Sequence, residues 1–537
     1  MPSTPTDPRR RALLAAALAA GSAPAWLRHA RAADLPRFEL GVASGFPRPD
    51  GMVLWTLLTG DGLPERTEVR WELAEDEAFA KVVARGSELA EAAWGHSVHA
   101  EPAGLAPGRW YWYRFEALGA RSAAGRTRTA PAPDAAAPLA FAIASCQRYD
   151  HGRYAAWRHL AGEPLDLVMF LGDYIYEYPS PPIALRHHEG GYLRTLADYR
   201  ARYATYQRDP QLQAAHAACP WVLVWDDHEV ENDYAGLQGN AGPPQVSRSP
   251  SGGGSGAARA WGPDPGNLLQ ADFAAQRAAA YQAYWEHLPF PKALRPVNGD
   301  ARLYGQFDWG RLARVLLLDD RQYRDPQACQ KPGRGGSGNV TLKDCPALAD
   351  PKRSLLGTAQ EQWLAQAWAG DRPWNLLAQQ TLMARFAWTD PAAADGGLYW
   401  TDGWDGYAAS RQRLLATVAE RKLGGAVVLG GDVHAHYVAD LKADFADPRS
   451  ATLATEFCGT SIASRGLPQD KVDAARAFNP HVKYGRADQR GAVAFTLDAR
   501  RLDARLLAVA DAADAASRVD VVARYAVEAG HPGAQPA

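Results

Sequence analysis

The sequence predicts an α/β chain: a layered catalytic domain flanked by helices, preceded by an all-β domain. Three observations predict it. From Leu139 onward, short apolar runs alternate with segments of helical periodicity, as in layered α/β proteins. Before Ala130 the pattern is period-two alternation punctuated by turn residues, as in all-β proteins. The apolar runs of the second region also end alike. They lead into Cys146; into Asp173; into Asp226, Asp227 and His228; into Asp319, Asp320 and Arg321; into Gln379 and Gln380; and into Asp432, His434 and His436. Open α/β sheets place ligands at the carboxyl ends of their strands. Several strands that deliver ligand-type side chains at one end predict a shared polynuclear metal site.

Taken in order, residues 1–33 read as a leader. Arg9, Arg10 and Arg11 precede the apolar run Ala12 to Ala20, and Ala30-Arg31-Ala32 supplies a small-x-small cleavage site. The run is too short to stay as a membrane-spanning helix, and no later stretch reaches that length. Arg10-Arg11-Ala12-Leu13-Leu14 resembles a twin-arginine signal, without the usual preceding Ser/Thr and following Phe. That resemblance implies the twin-arginine export machinery as a partner and a periplasmic or secreted location; the other reading is the basic region of an ordinary secretory leader.

Residues 34–130 are predicted as a β domain, with strands around Val53–Leu57, Glu68–Leu73 and Tyr111–Glu116. Leu105 to Tyr111 resembles the tyrosine corner of immunoglobulin- and fibronectin-like sandwiches. This domain is expected to wall one side of the cleft. Residues 131–138 are a Pro/Ala linker, and 139–515 the catalytic domain, with helices expected at Thr195 to Arg208, Ala271 to Glu286, Ala359 to Ala369 and Arg411 to Lys422. A Gly/Ser/Pro-rich insert, Gly239 to Gly262, reads either as a mobile lid or as a disordered surface loop. Residues 516–537 are a tail, expected to be disordered beyond Gly530. A net charge of −2 gives no reason to expect nucleic-acid binding, and a monomer is expected. Of five cysteines, Cys329 and Cys345 bracket a Gly-rich loop and are the natural disulfide in an exported chain, whereas Cys219 and Cys458 read as core residues.

The spellings Ala144-Ser-Cys-Gln147, Gly172-Asp-Tyr-Ile-Tyr-Glu177, Trp225-Asp-Asp-His-Glu-Val-Glu-Asn232, Leu318-Asp-Asp-Arg-Gln-Tyr323 and Gly431-Asp-Val-His-Ala-His436 occur in that order. Together they resemble the PhoD-type alkaline phosphatases of the binuclear metallophosphoesterase superfamily, over about Phe38 to Val509. The resemblance implies a metallophosphoesterase-like β-sandwich flanked by helices. It also implies hydrolysis of phosphate mono- and diesters by a metal-activated hydroxide.

The residues suit that chemistry. A phosphoester hydrolase must neutralise the phosphate and lower the pKa of a water, which two ions about 3.5–4 Å apart accomplish. Asp173 is the candidate bridging carboxylate. Tyr176, three residues on, would bind as phenolate, which favours ferric iron over zinc. Cys146 and His434 would complete that first shell, matching the family's ferric ligands; relatives with two histidines at the first motif differ, since this chain has Ser145-Cys146. Asp432 stands where the wider superfamily has histidine, which hardens the second site toward calcium or magnesium. Family resemblance implies calcium, one or two ions beside Fe3+. Either Asp227 or Asn232 would join Asp432 there. Gln379 and Gln380 occupy positions where other metallophosphatases place a metal-binding histidine, and His436 reads as lying behind the site or facing the cleft. His228 is the candidate for transition-state stabilisation or leaving-group protonation; Arg148 reads either as a contact to a non-bridging oxygen or the ester group or, equally, as an exposed salt bridge. Asp319 and Arg321 are expected to form a buried pair beneath the strand ends. Glu229 and Glu231 read equally as a solvated charged edge.

The expected activity is exported phosphate scavenging. Two other readings stand beside it: a phospholipase-D-like phosphodiesterase on the same fold, and a non-catalytic exported metal-binding protein.

Overall fold

The computed structural model describes residues 37–240 and 270–537. The predicted leader, and the insert beyond Asn240, lie outside them. Strands such as Leu167–Phe170, Trp374–Ala378 and Ala426–Gly430 are buried along their whole length. Their continuous apolar sequence follows from cover on both faces. A ten-stranded sheet runs edge to edge through His531–Pro536, Val519–Glu528, Arg501–Val509, Arg490–Leu497, Leu139–Ala144, Leu167–Phe170, Trp221–Leu223, Val42–Arg48, Gly51–Leu57 and Ser97–Ala100. A seven-stranded sheet runs through Gly305–Trp309, Ala313–Leu317, Trp374–Ala378, Ala426–Gly430, Thr452–Cys458, His436–Lys442 and Val482–Arg486.

The two sheets share one core: Phe141, Met169, Val222 and Phe495 from the first meet Val315, Leu376, Val427 and Phe457 from the second. Helices Ala155–Gly162, Leu196–Gln207, Pro210–Ala218 and Gln270–His287 pack on the outer face of the first sheet. Gly357–Ala367, Ala408–Arg421 and Gln469–Arg476 cover the second. Leu196–Gln207 starts on a capping box, in which the Thr195 side chain and Asp198 satisfy each other's backbone N–H. The predicted sandwich flanked by helices is therefore present.

A third sheet of five strands is built from residues 66–128. Its Tyr111 hydroxyl meets the N–H and carbonyl of Ala106 at 3.1 and 3.3 Å, the tyrosine corner read from the sequence. The amino-terminal region is not self-contained, however. Val42–Arg48, Gly51–Leu57 and Ser97–Ala100 belong to the ten-stranded sheet, where Gly45 pairs in parallel with Trp221. Gly51–Leu57 is buried at every position, so it demands a place inside a covered sheet rather than on a half-exposed one. Trp55 Nε1 donates to the Glu286 carbonyl at 2.9 Å, tying it to a catalytic-domain helix.

The carboxyl terminus also differs from expectation. Residues 519–528 and 531–536 form two strands rather than a disordered tail. Val527 and Ala534 enter the inter-sheet core, and Gly533 N–H donates to Thr455 Oγ1 at 2.8 Å. Gly530, at φ 77°, makes the turn between them. Cys329 and Cys345 are disulfide-bonded with Cα atoms 5.9 Å apart, while Cys219 and Cys458 are buried thiols.

Candidate metal centre and active site

Four strands of each sheet run parallel, and the predicted ligands follow the carboxyl ends of several of them. The turns leaving those strands are sharp. Cys146, Asp173, Asp432 and His434 have φ of 58°, 61°, 62° and 53°, a region that non-glycine residues seldom adopt. Gly172, at φ 105°, lets Asp173 approach Asp226, since a Cβ there would lie 2.4 Å from that of Asp226.

Two constellations result. Ligand atoms of Cys146, Asp173 and His434 lie within 4.8 Å of one another, as do those of Asp173, Asp226, Asp227 and Asp432. Asp173 belongs to both. Tyr176 joins the first, its hydroxyl donating to Asp173 Oδ2 at 2.7 Å and lying 3.2 Å from His434 Nε2. His434 Nδ1 donates to the Arg465 carbonyl at 2.7 Å, which turns Nε2 toward the site.

The second constellation is chemically incomplete as a purely protein assembly. Three buried carboxylates and the partly buried Asp432 meet, and Asp226 Oδ2, Asp227 Oδ1 and Asp432 Oδ2 have no hydrogen-bond partner among the described residues. Burial and then neighbouring carboxylates push Asp173 well up against the pull of His228, and the same causes lift Asp226 against Arg321. Burial raises Asp432 to about 6, opposed by Arg321 and reinforced by Asp227 and Asp402. Burial likewise raises the Cys146 thiol, with Asp173 and Asp432 adding to it. Cations would supply the missing charge, so the donor set fits hard ions beside a thiolate–phenolate–imidazole site.

Asp227 stands inside the carboxylate cluster. Asn232, its alternative, is placed by its backbone N–H, which donates to Glu177 at 2.8 Å. His228 Nδ1 lies 2.7 Å from Glu177 Oε2, and its ring packs on Tyr176 with centroids 4.0 Å apart. Burial would lower its pKa, but Glu177, Asp173 and Asp227 outweigh burial and lift it to about 10. Arg148 is buried rather than exposed. Its Nε pairs with Asp150 at 2.7 Å, and its guanidinium lies 5.4 Å from the ring centres of Tyr176 and Tyr178.

Several expectations need correction. Arg321 does not pair through its side chain with Asp319, whose Oδ1 instead accepts the backbone N–H of Arg321 and Gln322. The Arg321 guanidinium binds Asp226 and Asp402 and lies 3.8 and 3.7 Å from Asp227 and Asp432. Glu229 is no solvated edge: fully buried, it accepts the N–H groups of Asp173, Tyr174 and Asp226 and so fixes two ligand-bearing turns. The amides of Gln379 and Gln380 are spent on backbone groups and Trp404, which removes them as ligands. His436 faces away, with Nε2 on the Leu507 carbonyl at 3.0 Å and Nδ1 accepting from Thr460 at 3.1 Å.

Sequence reasoning also missed two groups. Ser464 Oγ bonds the Tyr176 hydroxyl and the Cys146 carbonyl, each at 2.8 Å. Asp402 lies with Asp227 and Asp233 within 4.8 Å, but its oxygens are taken by Arg321, Arg324 and Gln327, so it braces the site. Only the acidic neighbourhood Thr401-Asp402-Gly403-Trp404-Asp405 could have hinted at the latter.

With this geometry in place, comparison with known proteins is direct. Residues 141–506 match the model of the PhoD-like phosphatase family, and 21–131 that of the PhoD-like phosphatase N-terminal domain. The chain belongs to the PhoD-like phosphatase family. It is 42% identical over 476 residues to alkaline phosphatase D of Bacillus subtilis (strain 168), covering 86% of this chain and 75% of that protein. A solved structure of PhoD superposes with a TM-score of 0.83 at 38% identity, over 94% of this chain and 92% of that one. The chain is accordingly an alkaline phosphatase D-like phosphoric ester hydrolase, which removes the non-catalytic reading. Among the described residues no helix is long and apolar enough to cross a membrane.

Proposed function

We propose that this PhoD-like phosphatase is an exported, metal-dependent hydrolase of phosphate mono- and diesters that serves phosphate scavenging. The observation that carries the reading is the sharing of Asp173 between a Cys146–Tyr176–His434 group and a cluster of carboxylates with unpartnered oxygens. Cys146, Asp173, Tyr176 and His434 would hold a ferric ion, and Asp173, Asp227 and Asp432 calcium, with the Asn232 side chain as the remaining candidate. The ions supply charge neutralisation of the phosphate and activation of a water at neutral pH.

The chain's own groups do the rest. Glu177 accepts the Nδ1 proton of His228, which leaves Nε2–H to be given to the departing ester oxygen. Arg148, held by Asp150, presents a fixed cation beside Tyr176 for a non-bridging oxygen. Tyr176 and Tyr178 pack against His228 and limit water around it. The twin-arginine leader would export the chain folded.

Elemental analysis of protein exported by its own leader and never exposed to chelator tests this, together with hydrolysis of bis-p-nitrophenyl phosphate before and after chelation. Iron with calcium on each chain, and chelator-sensitive turnover, are expected. Zinc or manganese alone would overturn the roles of Tyr176, Cys146 and Asp432.

A further inference from the structure

Next to the carboxylate cluster lies a cleft of about 390 Å³. Asp432 and His434 line it from the site; the rest is mainly Leu382, Phe386, Trp388, Trp400, Trp404 and Leu467, with Asn339, Asp405 and Arg465 as its other polar side chains. The volume is at the low end of small-molecule sites, which span about 300–1,000 Å³. Phe386 and Trp388 meet edge to face at 5.0 Å, and Phe386 rests on Tyr437 at 5.1 Å. Two of the three indole N–H groups are committed elsewhere: Trp400 Nε1 donates to Ser337 Oγ at 3.2 Å and Trp404 Nε1 to Gln379 Oε1 at 3.0 Å. The one carboxylate in the aromatic part, Asp405, is already committed to Arg411 at 2.7 Å and to the Phe386 N–H at 2.8 Å.

We infer that this cleft receives one ester group of the substrate, and that the group is neutral and apolar, an aryl or alkyl chain rather than a sugar or an ammonium alcohol. The inference rests on the phosphoester reading above and names the substrate class of that site. Asp432 and His434 line both the metal-ligand cluster and the cleft, so a phosphate bound at ions held by Asp173, Asp227 and Asp432 would lie at the cleft and could extend a substituent into it. There the substituent meets ring faces and leucines. Ring faces alone would also attract an ammonium group, but the aromatic part holds no uncommitted carboxylate and the Arg465 guanidinium in the lining opposes a cation; Asn339 is the other polar side chain there. Leu467, 42% exposed, stands at the mouth, where an apolar side chain is otherwise costly to leave in water.

The test is competitive inhibition of the holoenzyme by methylphosphonate and phenylphosphonate, which differ only in the carried group, with the phosphate monoester phosphocholine as the cationic comparator. Each well-placed ring contact is worth about two- to tenfold in affinity, so phenylphosphonate is expected to bind ~10-fold or more tightly than methylphosphonate. Trp388→Ala and Trp400→Ala should bring that ratio toward one. Leu467→Ser, at an exposed position that does not threaten folding, should lower it about two- to threefold. Equal inhibition by the phenyl and methyl compounds, a ratio untouched by all three substitutions, or a preference for phosphocholine would each overturn the inference while leaving the hydrolase reading intact. Absence of both inhibition and turnover would remove the hydrolase reading and this inference with it.

Discussion

His228 Nδ1 and Glu177 Oε2 lie 2.7 Å apart, and the same carboxylate takes the Asn232 N–H through its other oxygen. Glu177 thus orients the imidazole and pins the loop that carries it. Glu177→Gln keeps the shape but removes the charge that favours the imidazolium. Turnover of a chromogenic diester should fall about 10–100-fold, mostly in kcat, with metal content unchanged. A loss confined to KM would place Glu177 in substrate binding instead.

Asp173 is the residue common to both constellations and is crowded by Asp227, Glu229 and Asp432. Replacing it by Asn removes one of several mutually repelling buried charges and the bridge together. Turnover should drop by ~10³-fold or more, while the melting temperature of metal-free protein holds or rises. A melting temperature that collapses would make Asp173 a structural carboxylate.

Arg321, only 1% exposed, is the counter-charge around which Asp226, Asp402, Asp227 and Asp432 are arranged. Arg321→Met leaves those carboxylates uncompensated, which costs about 3–5 kcal/mol for a buried pair. Added calcium should then recover more stability in the variant than in the wild type, because the vacated charge favours cations. Thermal melts with and without calcium read this directly, and equal calcium shifts would mean that Arg321 does not share the cations' electrostatic role.

The ligand positions were legible because they are local. A glycine or small residue at the end of an apolar run, followed at once by a carboxylate, thiol or imidazole, marks a strand end in the sequence itself. What was not legible depends on distance along the chain. Arg321 finds Asp402 81 residues away, and Ser464 finds Cys146 318 residues away. Nothing around either residue announces the partner. The amino-terminal strands misled for a related reason. Gly51–Leu57 looks like one strand of a small β domain, and only its burial on both faces reveals that it is completed by Val42–Arg48 and, beyond that, by Trp221–Leu223. The carboxyl-terminal strands hide in short polar sequence whose few apolar residues, Val527 and Ala534, close the core.

The Cys329–Cys345 bridge closes a separation of 16 residues around Ser337, whose Oγ donates to Asp233 at 2.6 Å. Loop-closure entropy makes such a bridge worth about 3 kcal/mol. Cys329→Ser with Cys345→Ser should lower the melting temperature accordingly, and reductant should do the same to the wild type alone. No change on reduction would show that the loop is held by its hydrogen bonds.

Three buried histidines should draw stability down as pH falls, against buried Glu456 and Asp320, whose pKa values burial lifts to about 7 and which pull the other way. His99, His216 and His287 are buried outside the candidate ligand set, stacked on Trp285, Trp221 and Tyr203. Burial holds each of them neutral, its pKa lowered to about 3. In the unfolded chain each titrates near its ordinary 6.5. Between those values the unfolded state binds more protons than the folded one, so stability is fully present above about pH 6.5 and is lost as pH falls toward 3. Each histidine contributes a slope of ~1.4 kcal/mol per pH unit in that window, and three together ~4. Denaturant unfolding of the holoenzyme from pH 8 to 5 should show the slope set in below about 6.5. His287→Gln, which keeps a polar group at the Ala283 carbonyl contacted at 2.9 Å, should change the slope by ~1.4 kcal/mol per pH unit relative to the wild type. A pH dependence identical in wild type and His287→Gln would mean that this ring is already protonated in the folded protein.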